Sequence, residues 1–144
     1  MLAGQGLDSS NLVLAKYIDD AQLRDSVFLL GRRDDIPRIM AGLDIYTSSS
    51  CSEGFPNVVG EAMACGVPCV VTDAGDSAYV VGETGVVVPP SNPEALAQGM
   101  DRLIIMLPEE RRRLGEAARR RVQENFDITM IVKRLETLYS GLVK

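Results

Sequence analysis

The sequence predicts an α/β fold in three layers, a mostly parallel sheet with helices on both faces. Two observations carry that prediction. Short β-branched and aliphatic runs at residues 27–30, 43–47, 69–72 and 86–88 alternate along the chain with short helical stretches. Glycine and proline mark nearly every join: Gly31, Gly42, Gly66 with Pro68, Gly82 with Gly85, and the Pro89-Pro90 pair.

Taken in order, residues 1–6 form a short apolar run closed by Gly4 and Gly6, a strand-to-loop transition. Ser9 or Ser10 caps a helix running to about Leu23, with Leu12, Leu14, Ile18 and Leu23 on its apolar side. The strand at 27–30 ends at Gly31, and Ile36, Ile39 and Met40 make a second short helix closing near Gly42. A strand over 43–47 leads into a loop and a helix in which Pro56 suits the first turn. Gly66 and Pro68 stop that helix, and the strand from Cys69 leaves through Asp73-Ala74-Gly75-Asp76. A small helix over 77–81 and a last strand over 86–88 complete a β/α core of about residues 1–90. Residues 91–144 are helical. One helix starts at Pro93 and another at Pro108, and the last follows Asp127 with Ile128, Ile131, Val132, Leu135, Leu138 and Tyr139 as an apolar stripe that needs covering.

At 144 residues the chain is one domain's worth, 46% hydrophobic and 24% charged, with no apolar run of the roughly 18 residues that cross a bilayer. A formal net charge of −5 argues against nucleic acid as partner. The absence of histidine removes His-based acid–base catalysis and His-ligated metals from this chain. Cys51, Cys65 and Cys69 form no C-x-x-C pair and read as small buried hydrophobes in a reducing, cytoplasmic setting, with no signal peptide at the start. The arginine-rich stretch from 109 invites a second reading, an anionic membrane surface. Glu109 with Arg113 and Glu116 with Arg120 are nevertheless i,i+4 pairs in the favourable order, the pattern of a solvated face.

The stretch from Ser48 to Pro68 holds the chemistry. Glu53 lies in the loop beyond a strand's carboxyl end, where open α/β sheets bind ligands. Glu61 stands about one turn into the following helix, and its side chain leans back toward the same mouth. Backbone N–H groups at that helix start, near Phe55 to Val58, favour an anion such as phosphate. Two carboxylates beside a phosphate site need another task, and each accepts hydrogen bonds from the paired hydroxyls of a sugar or ribose. The same residues also fit a capping Glu53 and a solvated Glu61 on an amphipathic helix.

Glu53-Gly54-Phe55-Pro56 followed by Glu61-Ala62-Met63-Ala64-Cys65-Gly66-Val67-Pro68 resembles the donor-site signature of the retaining glycosyltransferases called glycosyl transferases group one. The resemblance implies the C-terminal half of a GT-B fold, a Rossmann-like domain spanning 1–144, with its first strand and helix missing. It implies transfer of a sugar from a nucleotide diphosphate sugar, of UDP or GDP type, to an acceptor hydroxyl, with no cofactor and no metal. On the family pattern Glu53 contacts the donor sugar as the catalytic residue, Gly54, Phe55, Pro56, Asn57 and Val58 hold the diphosphate, and Glu61 takes the ribose hydroxyls. Val27-Phe28-Leu29-Leu30-Gly31 followed by Arg32 resembles the strand and loop under the base, which places Gly31 at the base edge and Arg32 at the base edge or the diphosphate. Arg32 also fits a solvated arginine paired with Asp34 or Asp35.

Three departures accompany the likeness: Pro56 replaces a common glycine, Gly60 a usual large aliphatic, and Asp76 the second glycine of the family's pair. Family enzymes also have an acceptor-binding N-terminal domain, and an arginine and a lysine early in the donor domain that neutralise the leaving diphosphate. This chain shows no equivalent, so it is expected to be inactive alone, and the missing first strand, which leaves apolar sheet surface or an edge uncovered, implies that it self-associates or comes from a longer parent. A non-catalytic nucleotide- or sugar-binding module is the alternative. In the parent, peripheral contact with the inner face of a membrane fits the same picture.

Overall fold

A computed structural model describes residues 1–142, and its packing divides into two compact units, Met1–Ile36 and the chain from Pro37 onward. In the first unit Leu2 and Leu29 form an isolated parallel bridge, with Leu2 N–H donating to Phe28 O and Leu30 N–H to Leu2 O, both 2.8 Å. The strand expected at 27–30 shrinks to this bridge because its partner run ends at Gly4, whose N–H turns to Gly31 O at 2.8 Å. Helix α1 spans Leu12–Asp20, shorter than the helix expected to run from a Ser9 or Ser10 cap to about Leu23. Its cap is Asn11, not a serine: the Asn11 side chain accepts from Leu14 N–H at 3.0 Å. Ser10 is occupied instead by Asp8 Oδ1, which accepts both its N–H and its hydroxyl. Gln22, at φ 58°, ends the helix.

Helix α2 (Ile36–Met40) closes at Gly42, whose N–H donates to Ile39 O at 3.0 Å. Strands β1 (Tyr46–Ser48), β2 (Cys69–Thr72) and β3 (Val86–Val88) form one parallel sheet in the order β1-β2-β3. Between them lie α3 (Asn57–Ala64) and α4 (Ser77–Val81). β1 starts later than expected because Leu43 N–H is tied back to Met40 O, and its first ladder bond is Tyr46 N–H to Pro68 O, 3.0 Å each. Tyr46 then faces Cys69, and Thr72 faces Val88.

All four residues of β2 are buried, so both faces of the sheet are covered, as parallel sheets require. Helix α5 (Pro93–Ile104) covers the face of Val70 and Val88. A Cβ at Gly99 would stand 2.9 Å from Val70 Cγ1, so only glycine permits this approach. Helices α3 and α4 also pack against β2. Helix α6 (Pro108–Asn125) packs on α3 through a glycine clasp: a Cβ at Gly115 would lie 1.9 Å from Gly66 O, and Ala62 and Ala118 are both fully buried. Arg121 donates to Val80 O (2.9 Å) and Tyr79 O (2.6 Å), closing the carboxyl end of α4.

On the solvated face of α6, Glu109 pairs with Arg113 at 3.4 Å as expected, but Glu116 pairs with Arg112 rather than Arg120. Arg112 stands between the two glutamates and also reaches Glu109, at 2.7 Å. Cys69 is buried, whereas Cys65 is half-buried and Cys51 exposed, against the expectation of three buried thiols. Cys51 lies in the loop leaving β1, where its Sγ meets the Ser91 hydroxyl at 3.6 Å. Helix α7 (Ile128–Leu142) leaves Ile128, Leu138 and Tyr139 exposed along its apolar stripe. Among the described residues no helix is long and apolar enough to cross a membrane.

Candidate functional site

The candidate site is the rim formed by the exit of β1, the loop 49–56 and the start of α3. The loop is pinned from two sides. Thr72 Oγ1, buried in β2, donates to the Ser50 carbonyl at 2.6 Å, and Asp76 N–H donates to Gly54 O at 3.2 Å. Gly75, at φ +54°, presses against the same loop: a Cβ there would stand 2.2 Å from Glu53 O and 2.6 Å from Gly54 O.

The Glu53 side chain is exposed, and its Oε1 accepts from Ser50 Oγ at 2.6 Å. Ser50 Oγ also lies 3.4 Å from Ser48 Oγ. Glu61, in the second turn of α3, is likewise exposed. One phenol senses both acids. The Tyr46 pKa is raised, first by burial, then by Cys69 and Glu53, with Glu61 adding in the same direction against a lowering hydrogen bond from Ser48. Burial pushes the Cys69 thiol up to about 12, so it is neutral near pH 7.

Helix α3 begins at Asn57, with Pro56 as its N-cap and no side chain capping it. Pro56 therefore stands one residue outside the first turn. Asn57 N–H donates to Phe55 O, and Val59 and Gly60 N–H share Pro56 O. Among the described residues Gly54, Phe55 and Val58 N–H have no protein acceptor, the arrangement that favours an anion. Gly54, Asn57 and Val58 are exposed, and Pro56 is buried beneath them. Phe55 meets the Phe126 ring edge-on at 5.9 Å, and Phe126 meets Tyr79 at 5.7 Å. These rings, with Asn125, Ile131 and Arg134, line a groove of about 320 Å³.

Gly31 and Arg32 lie in the first unit. Gly31 N–H donates to Leu7 O at 2.8 Å and its carbonyl accepts from Gly4 N–H, while Arg32 is exposed. The ion pair in this loop belongs to Arg33, which makes two 2.8 Å bonds to Asp35. Sequence reading passed over Ser50, Thr72 and Tyr46 as parts of the rim. Thr72 carries the clearest signal, a lone hydroxyl at the end of an otherwise apolar buried strand.

The family model described as glycosyl transferases group 1 matches residues 1–105. The N-acetyl-alpha-D-glucosaminyl L-malate synthase of Bacillus anthracis is 32% identical over 148 residues, covering 100% of this chain and 38% of that protein. An Escherichia coli UDP-Gal:alpha-D-GlcNAc-diphosphoundecaprenol alpha-1,3-galactosyltransferase is 26% identical, over 99% of this chain and 37% of its own. The chain thus spans under two-fifths of the length of these relatives. Among solved structures, Anabaena Alr3699/HepE in complex with UDP and glucose superposes with a TM-score of 0.85 at 28% identity, covering 97% of this chain and 40% of that one. The C-terminal domain of a glycosyl transferase group 1 family protein from Francisella tularensis shares the fold, with a TM-score of 0.69 at 23% identity, over 84% of this chain and 66% of that one.

Proposed function

Because this chain belongs to the glycosyl transferases group 1 family, with the mostly parallel α/β architecture of the C-terminal half of a GT-B fold, we propose that it is the donor-binding part of a retaining glycosyltransferase. The observation that carries the reading is the uncapped start of α3, with exposed Glu53 in the loop before it and exposed Glu61 in its second turn. The Gly54, Phe55 and Val58 amides take the diphosphate, in the role a divalent cation plays elsewhere. Glu61 accepts the ribose hydroxyls and Glu53 the hydroxyls of the donor hexose. UDP and UDP-glucose complexes among the neighbours support a nucleotide-sugar donor, and a UDP- or GDP-linked hexose is the class proposed.

In the reaction proposed, the bond from the sugar C1 to the diphosphate oxygen breaks as a bond from C1 to the acceptor oxygen forms. The departing diphosphate takes the acceptor's hydroxyl proton. The protein's task is to hold the leaving group while its charge develops, work that helix-end amides do without reorganising. The rim is open, so the step itself is assigned to a longer protein that closes over the donor. The 144-residue chain binds.

Calorimetric titration tests this with UDP, GDP and ADP and their sugars. Wild type is expected to bind at least one nucleotide, and Glu61→Ala to weaken that binding about tenfold, the loss of hydrogen bonds to a charged acceptor. Glu53→Ala is expected to weaken only the sugar-bearing ligand. No binding by any of them at millimolar concentration overturns the reading.

A further inference from the structure

We propose that Ser50, anchored by Thr72, is a positioning residue for Glu53, fixing the carboxylate in the orientation that meets the donor sugar. The inference rests on the reading of Glu53 as the sugar contact. An exposed glutamate in a loop samples many rotamers, and an acceptor that must meet particular sugar hydroxyls loses affinity with each one it has to give up on binding. Glu53 is exposed, yet one of its oxygens has a partner. Ser50 Oγ donates to Oε1 at 2.6 Å and leaves Oε2 open for a ligand hydroxyl.

Ser50 in turn is held by the interior. Its carbonyl accepts from Thr72 Oγ1 at 2.6 Å across 22 positions of sequence, and Thr72 is only 3% exposed. Thr72 closes β2, whose four residues are all buried, so the hydrogen-bond path from rigid strand to functional carboxylate has only two links. The Ser48 hydroxyl, 3.4 Å from Ser50 Oγ, continues the polar file toward Tyr46. A serine that merely supported the loop would need its carbonyl bond alone. The second bond, from its hydroxyl to the carboxylate, is the one that sets direction.

Calorimetry on the 144-residue chain tests this with UDP-glucose, GDP-mannose and ADP-glucose, each beside its bare diphosphate, followed by variants on the pair that wild type binds. Ser50→Ala is expected to lower the preference for sugar donor over diphosphate about fivefold, leaving diphosphate affinity within about twofold. Ser50→Thr restores the preference, and in a Glu53→Ala background Ser50→Ala adds nothing. Equal weakening of both ligands, failure of threonine to rescue, or an additive effect in the Glu53→Ala background overturns the positioning role. If Glu53→Ala itself leaves the preference unchanged, or none of the three pairs binds, the donor reading fails and this inference falls with it.

Discussion

Gly75 lies so close to Glu53 that a Cβ on it would stand 2.2 Å from the Glu53 carbonyl oxygen. Backbone, not a flexible side chain, blocks the space, and φ +54° adds the left-handed cost that non-glycine residues bear. Gly75→Ala is therefore expected to push the two loops apart, lowering stability by about 2 kcal/mol and weakening nucleotide-sugar binding more than tenfold. Thermal melting and calorimetry on one preparation measure both. An alanine variant that binds like wild type contradicts this geometry.

Gly60 makes the opposite case. It sits inside α3, has ordinary helical φ, and meets nothing within 4 Å where a Cβ would go. Gly60→Ala is expected to stabilise the chain by about 0.5–1 kcal/mol, by removing backbone freedom from the unfolded state. A chemical denaturation midpoint that rises with unchanged slope confirms it.

The contrast shows what sequence reading reaches. The helices from Pro93 and from Pro108 begin where proline places them, and the small helix at 77–81 lies where it was expected, because such signals are local. The placement of each carboxylate was legible too, Glu53 in the loop beyond β1 and Glu61 inside the helix that follows. Cross-chain geometry was not. The cap is a separate case, a local competition between neighbours: Asp8, two residues back, accepts from Ser10 and leaves Asn11 to cap α1. Nothing in the order of residues brought Thr72 to Ser50, or Gly75 to Glu53, since those contacts exist only once β2 lies beside β1. The strand at 27–30 failed for the same reason: its length depends on a partner that ends at Gly4.

Gly115 is the packing counterpart of Gly75. Its missing Cβ lets α6 rest on the Gly66 carbonyl at the end of α3, where any Cβ would stand 1.9 Å from oxygen. Gly115→Ala is expected to cost about 3 kcal/mol, the upper part of the range for overpacking, because the obstacle is main chain. Measured by urea denaturation, a loss below about 0.5 kcal/mol means α6 does not sit on α3 as described.

Cys69 and Tyr46, paired across β1 and β2, give the fold an alkaline limit. Burial raises both groups, the thiol from 9.0 to about 12. A group whose folded pKa lies above its unfolded value stabilises the fold fully below the unfolded pKa and loses that contribution as pH rises through the folded one. Stability is therefore expected to be flat near pH 7 and to fall between pH 9 and about 12, as the unfolded thiol ionises and the buried one resists. Three pH units correspond to about 4 kcal/mol as an upper bound, at about 1.4 kcal/mol each. Cys69→Ala costs some stability at pH 7 through lost packing but removes the thiol's share of the slope, leaving the shallower fall that Tyr46 supplies. Urea midpoints taken at pH 7, 9 and 10.5 decide the matter. If wild type and Cys69→Ala lose stability in parallel over that range, the thiol is not the titrating group.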